Sequence, residues 1–298
     1  MSTPKVESEQ HGELNCWRIT SDTAELLVAQ QGAQVLSYQR IGEPPLLWLS
    51  EQAIFKQGKS VRAGVPVCWP WFGHLTRNPQ AVQKMYHGVE ASAHGLVRGR
   101  DWQLLGIDNK GDVVRVDFTL PDTLGDLPGW PHTVELKLSI VMAEQLSITL
   151  TSYNLDNAPV TISQALHSYF AVSDVRQVQV QGVDGLGYIE TLANWELRSQ
   201  KGDLDFAGET DRIYLQSPDQ LNIVDPAWNR RIRLASSGSR SAVIWNPWIE
   251  RAAELPDMAD DGWQCMLCIE TANVWDDVVT LAPGATHSLS VSIGSESL

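Results

Sequence analysis

Three segments of the chain alternate apolar and polar side chains almost without a break: TVELKLSI (133–140), QLSITLTSY (145–153) and HSLSVSIG (287–294). In the last, Leu289, Val291 and Ile293 share one side and serines the other. Period two is the spacing of a β-strand with one face on a core and one face in water. Further strands are expected near residues 14–20, 33–39, 112–120, 160–170, 176–182, 221–225, 231–235, 242–246 and 264–270, where apolar and β-branched residues gather. Helical spacing is scarce, and WIERAAEL (248–255) is the best short candidate.

Turn signals separate these runs at short intervals, among them Asn109-Lys110-Gly111-Asp112, Pro128-Gly129 and Pro283-Gly284. Strand, turn and strand at such spacing favour an antiparallel sandwich over strand–helix–strand units. No Gly/Ser linker, low-complexity tract or strong repeat divides the sequence, so the expected fold is all-β, one large antiparallel β-sandwich domain over 1–298 with few short helices. A chain of 298 residues that is 43% hydrophobic and 19% charged has ample material for a core and lacks the signature of disorder.

The formal net charge of -14 argues against nucleic-acid binding, which needs a basic surface to displace counterions from phosphates. It also sets a condition: an anionic ligand must be held by a local cluster of arginines. No apolar run reaches the length of a membrane span, and the first residues lack the apolar core of a secretory signal, so a cytoplasmic location is expected. The cysteines are few and spread out, and the one CxxC, Cys265 and Cys268, has no second pair or suitably spaced histidines. It reads as a reduced structural pair.

Two segments break the strand pattern. VRAGVPVCWPWFGHL (61–75) opens on Arg62, and ASAHGLVRGRDW (91–102) carries His94, Arg98 and Arg100 around glycines. Loops stiffened by Pro and Gly on a rigid sandwich are common places for binding sites. Arginine's planar fork suits phosphate or carboxylate, so Arg62 and Arg98 could form an anion pocket, or each could be an ordinary surface cation. Glu270 ends the apolar run CMLCIE, as an exposed strand terminus or as a partly buried general base. His167, in ALHSYF, is a lone histidine in a strand pattern, structural or proton-transferring. Asp211 could accept sugar hydroxyls or pair with an arginine. Trp69, Trp71, Trp245 and Trp248, in Pro-containing loops, could offer flat faces to a sugar or belong to the core. Asp260-Asp261 and Asp276-Asp277 read as solvated turns. Metal, P-loop, dinucleotide and nucleophile-elbow motifs are absent, and GVDGLG (182–187) reads as a turn.

Taken in order, RAGVPVCWPWFG, AHGLVRGRDW, ALHSYFAVSDV, DRIY and CIETANV resemble the hexose-6-phosphate mutarotases, or glucose-6-phosphate 1-epimerases, of the aldose 1-epimerase superfamily, over roughly residues 30–295. The resemblance implies a galactose mutarotase-like supersandwich with a shallow sugar site and no metal or organic cofactor. It implies His167 and Glu270 as the catalytic pair, Arg62 and Arg98 as phosphate contacts, and His94 and Asp211 around the sugar. The implied reaction interconverts the α and β anomers of an aldohexose 6-phosphate through the open-chain aldehyde, with Glu270 as base and His167 as acid. Both members are expected to be charged, favoured by mutual attraction. The implied partner is a small sugar phosphate, with no nucleic acid and no membrane, and the chain is expected to be a monomer. Alternatives are a mutarotase for unphosphorylated aldoses and a non-catalytic carbohydrate-binding or regulatory protein. A glycoside hydrolase would want two carboxylates flanking the scissile bond.

Overall fold

In the computed structural model, which describes residues 3–120 and 127–298, antiparallel strands make up nearly all the regular structure. The α-helices among these residues are the short Gln80–Gln83 and Trp248–Ala253, the latter on the expected segment. A nine-stranded sheet runs in the order Leu204–Asp205, Gln179–Gln181, Gln220–Asp225, Arg230–Ser237, Thr286–Ser297, Leu146–Asn154, Val134–Met142, Val113–Leu120 and Gln103–Lys110. All three alternating segments therefore lie side by side at its centre. Their register puts Val291 opposite Ile148, Ile148 opposite Ile140 and Ile140 opposite Val116, so one row of buried aliphatic residues crosses four strands. The opposite face carries hydroxyls that pair across strands, Ser147 with Ser292 at 2.7 Å and Thr149 with Ser290 at 2.9 Å. Alternation in the sequence thus becomes a dry face and a wet face of one sheet.

The second large sheet has eight strands. Seven follow the order Glu196–Ser199, Gly187–Glu190, Thr210–Leu215, Ser241–Asn246, Met266–Asn273, Gln164–Leu166 and Val67–Cys68, and Tyr169–Ala171 also pairs with Met266–Asn273. Tyr214, Ile244 and Ile269 on one of its faces join Val116, Ile148 and Val291 of the nine-stranded sheet in a shared core. Each such buried aliphatic side chain contributes roughly 1.5–3 kcal/mol. The other face carries a smaller apolar cluster that includes Ile213, Val243, Ala165 and Ala272. Because both faces are covered, every residue of Met266–Asn273 is buried, and this strand shows no alternation. A four-stranded meander, Lys5–His11, Leu14–Thr20, Ala24–Ala29 and Val35–Arg40, and a two-stranded pair, Val160–Ile162 with Val279–Leu281, complete the strands. None of the helices among the described residues is long and apolar enough to cross a membrane.

Three expected strands differ in detail. The segment 160–170 is three short strands, Val160–Ile162, Gln164–Leu166 and Tyr169–Ala171. At the breaks the backbone turns to other partners, with Ser163 donating to the Pro70 carbonyl and His167 to that of Pro66, each at 3.0 Å. The segments 176–182 and 264–270 each begin in a 3-10 turn, Val175–Gln177 and Gly262–Cys265, before Gln179–Gln181 and Met266–Asn273. Several strands lacked a readable pattern, among them Lys5–His11, Glu196–Ser199 and Thr210–Leu215. Asp277 is also more than a solvated turn residue. It accepts from the Arg240 backbone at 2.8 Å and from Asn273 at 3.0 Å, tying the end of the Glu270 strand to its neighbour.

Candidate active site

The strand pairing explains how distant residues share one cavity. Glu270 lies opposite Val243, and Val243 opposite Ile213, so the three side chains follow one another across the sheet face that carries the smaller apolar cluster. Asp211 and Trp245, two residues along their strands, occupy the same face and are paired with each other. Tyr169, opposite Cys268, brings the adjoining His167 to the end of this row. Above the row lies a cavity of about 450 Å³. His167, Glu270, Arg62, Arg98, His94 and Asp211 all line it, so the structure brings all six sequence-selected residues together.

Glu270 is not an exposed strand terminus. It sits inside Met266–Asn273 at 1% exposure, with Oε1 3.4 Å from Nε2 of His167. Its Oε2 and the Nδ1 of His167 are buried without a protein hydrogen-bond partner. Such atoms are costly in a core unless a bound group satisfies them. Burial raises the Glu270 pKa well above the ordinary carboxylate value, Asp211 adds to the rise, and Arg98 opposes it. Burial pushes His167 down to about 3, with the Arg98 and Arg62 charges acting in the same direction. Desolvation thus works against the charged form of both members of the expected doubly charged pair, while the two groups stand 3.4 Å apart.

The two arginines differ. Arg62 donates through Nε to Asp257 at 2.8 Å and through a terminal nitrogen to the Tyr169 hydroxyl at 3.2 Å, which fixes the plane of its fork. Among the described residues, Arg98 donates to the Ala93 carbonyl at 3.4 Å and forms no ion pair with a carboxylate. His94 stands in a left-handed backbone conformation with φ 62 beside Gly95 with φ 82. A Cβ on Gly95 would lie 2.0 Å from the Trp69 carbonyl oxygen, so glycine is needed to seat this loop. The His94 Nδ1 accepts from the Gly73 N–H at 3.3 Å, which leaves Nε2 as the proton-bearing nitrogen. Its ring meets His167 edge-on, with centroids 5.4 Å apart. Asp211 is half-buried, and its partial desolvation raises its pKa; a hydrogen bond from Thr191 opposes the rise and Glu190 adds to it.

Sequence reasoning missed Tyr169, Asp257 and a tryptophan pair. Tyr169 stacks on the His167 ring, with centroids 4.8 Å apart and planes 11° from parallel, and its place two residues on was the available signal. Asp257, in LPDMADDG, gave none. Trp195 and Trp275 stack at 5.7 Å on the cavity wall. Of the four tryptophans considered as sugar platforms, only Trp245 lines the cavity. Trp69 and Trp71 are fully buried core, and Trp248 packs on Trp263. Among the described residues, no group of three or more His, Cys, Asp or Glu is placed to hold a metal ion, and all four cysteines are free.

The sequence profile of the aldose 1-epimerase family matches residues 15–294. A protein of Cenchrus ciliaris named "Putative glucose-6-phosphate 1-epimerase" is 34% identical over 266 residues, 85% of this chain and 76% of its own length. The crystal structure of a "putative mutarotase" from Salmonella typhimurium superposes with a TM-score of 0.88 at 27% identity, covering 98% of this chain and 94% of that one. A galactose mutarotase-like protein from Clostridium acetobutylicum, 15% identical, shares the fold, with a TM-score of 0.75 over 99% of each chain. The chain belongs to the aldose 1-epimerase family.

Proposed function

We propose that this member of the aldose 1-epimerase family interconverts the α and β anomers of aldohexose 6-phosphates, glucose 6-phosphate foremost. One observation carries the substrate class. The cavity holding the His167–Glu270 pair is also lined by four arginines, Arg62, Arg77, Arg98 and Arg251, and of these Arg98 has no carboxylate partner among the described residues. A phosphate at C6 is a dianion that suits such forks, and its charge-assisted bonds would anchor one end of the sugar while the other reacts. Local cations thereby overcome the repulsion of a chain with net charge -14.

In the reactive form His167 carries a proton and Glu270 is ionised. Glu270 removes the proton of the anomeric hydroxyl as His167 delivers its own to the ring oxygen, the C1–O5 bond breaks, and C1 becomes an aldehyde. Rotation about C1–C2 exposes the opposite carbonyl face. The ring closes with the roles reversed, so the enzyme returns to its starting protonation and no redox partner is consumed. Each positioned proton transfer is worth about 10²- to 10⁴-fold. His94, through its Nε2–H, and Asp211 are placed to bind sugar hydroxyls. We place the enzyme in the cytoplasm as a single-domain monomer. NMR exchange spectroscopy comparing glucose 6-phosphate with glucose and galactose tests this function. A marked preference for the phosphorylated sugar is expected, and equal acceleration of all three would overturn the phosphate assignment.

A further inference from the structure

We propose that the cavity has a compartment for an N-acyl group on C2 of the sugar, so that the protein also interconverts the anomers of 2-acetamido-2-deoxy-aldohexose 6-phosphates. The inference rests on the reading above for the placing of the sugar, with its anomeric centre at His167 and Glu270 and its C6 arm toward Arg62 and Arg98.

One part of the cavity is apolar. Phe72, Ile213, Val243, Val274, Trp195 and Trp275 line it, and the same six belong to or pack on the smaller apolar cluster of the sheet face. Sheet order sets this part away from the two phosphate-binding arginines. Arg62 precedes Val67–Cys68, at one edge of the eight-stranded sheet, and the Arg98 loop is bridged to Trp69 beside it through Gly95. Trp195 stands at the other edge, in the turn between Gly187–Glu190 and Glu196–Ser199. Trp275 follows the far end of the Glu270 strand, whereas Tyr169, which contacts Arg62, pairs with Cys268 ahead of Glu270. Both tryptophans adopt the left-handed backbone region, with φ 62 and φ 58, which bulky side chains rarely enter and which clusters at binding sites. Their turns are tied down, Thr191 donating to the Asp211 carbonyl at 3.1 Å and Asp277 accepting from the Arg240 backbone at 2.8 Å. With ring centroids 5.7 Å apart and planes 18° from parallel, the rings are offset, and both remain half-buried on the cavity wall.

A bare hexose does not account for this apolar part. Trp245, with its ring 6.4 Å from that of His167, already offers an aromatic surface to the reacting ring. Hydroxyls directed at Val274 and the two tryptophans would lose water without gaining a hydrogen bond. The stereochemistry of the sugar says which carbon points there. C1 and C5 both flank the ring oxygen, so with C1 at Glu270 and the C6 arm toward Arg62 and Arg98, C2 leads away from the phosphate and toward the tryptophans. An acetamido group on C2 has a methyl for the aromatic wall and a carbonyl oxygen that accepts hydrogen bonds. Arg77 supplies the donor. Its guanidinium lies 5.2 Å from the Trp195 ring centroid, lines the cavity and forms no ion pair with a described carboxylate. A guanidinium resting on an aromatic face keeps the N–H groups of its edge free. C2 takes no part in ring opening, so the acyl group adds binding without changing either proton transfer.

The test varies the C2 substituent alone. Anomer exchange of N-acetylglucosamine 6-phosphate, glucose 6-phosphate and glucosamine 6-phosphate is compared by NMR near neutral pH, with each enzyme-free rate subtracted. The expected order in kcat/KM is acetamide, hydroxyl, ammonium, with the acetamido sugar favoured about tenfold over glucose 6-phosphate for one buried methyl and one hydrogen bond to a cation. The ammonium ranks last because it meets an apolar wall and a like charge. Trp195→Ala and Arg77→Ala should each cut the acetamide-to-hydroxyl ratio about threefold or more, and Trp195→Phe should recover part of it. Taking the ratio on one variant cancels any loss of folded enzyme. An acetamido sugar exchanged no better than glucose 6-phosphate, or a preference that neither alanine variant lowers, overturns the proposal and leaves the proposed function standing. N-acetylglucosamine against glucose repeats the comparison without phosphate. An acetamide preference that persists there, alongside equal rates for glucose and glucose 6-phosphate, would support the compartment and overturn the phosphate assignment instead.

Discussion

Nε2 of His167 lies 3.4 Å from Oε1 of Glu270, and the contact is made between a break in one strand run and the interior of another strand. The pairing of Leu166 with Thr271 and of Tyr169 with Cys268 brackets the contact, so backbone hydrogen bonds on both sides hold the two side chains together. Both side chains are buried and titratable, a setting in which small changes of field decide which of them holds a proton.

Replacing either member removes one of the two proton transfers. His167→Ala and Glu270→Gln are each expected to lower anomer exchange by about 10²- to 10⁴-fold. Circular dichroism should be unchanged. Near wild-type exchange in either variant would remove that residue from the mechanism.

The same burial makes stability depend on pH in opposite senses for the two groups. The Glu270 pKa is raised above 4.5, so the stability of its protonated form is fully present below that pH and is lost as pH rises through the raised value. Glu270→Gln should therefore raise Tm relative to wild type, with a larger gain near pH 8 than near pH 5. His167 is depressed from 6.5 to about 3, so its stabilising neutral form is fully present above 6.5 and is lost as pH falls through that window. His167→Gln should narrow the wild-type loss of Tm between about pH 7 and pH 4. Thermal unfolding across pH checks both slopes, and flat differences would contradict the burial argument.

Arg98 has no described carboxylate to replace a lost ligand, so its removal should be felt mainly by the phosphorylated substrate. A charge-assisted hydrogen bond is worth about 1.5–3 kcal/mol, so Arg98→Ala should cost glucose 6-phosphate about 10- to 100-fold more in kcat/KM than it costs glucose. Equal losses for both sugars would make Arg98 a structural residue.

Asp257 holds Arg62 through Nε at 2.8 Å and makes no contact with the catalytic pair, which marks it as a positioning residue. Asp257→Ala is expected to raise KM for glucose 6-phosphate about 3- to 10-fold with a smaller change in kcat, the cost of roughly one hydrogen bond. Asp257→Asn, which keeps an acceptor oxygen, should recover part of the loss. An unchanged KM in both variants would show that Arg62 is oriented by Tyr169 alone.

The sequence by itself determined the class of fold, because Val134–Met142, Leu146–Asn154 and Thr286–Ser297 have one wet face and one dry face and must alternate. It could not reveal Glu196–Ser199, exposed throughout, or the full extent of Met266–Asn273, buried throughout, since neither has two unlike faces to write a period. Local chemistry also told which residue types stood in unusual places: arginines in glycine-rich loops, a carboxylate in an apolar run, a lone histidine among strand residues. Only the tertiary structure decided that these six residues line one cavity, because strand order and register set that neighbourhood and no local pattern encodes them. It also decided their electrostatic setting. Proton affinity in a buried site follows desolvation and the summed field of residues remote in sequence, so burial pushes the His167–Glu270 pair that sequence logic would ionise toward its neutral forms.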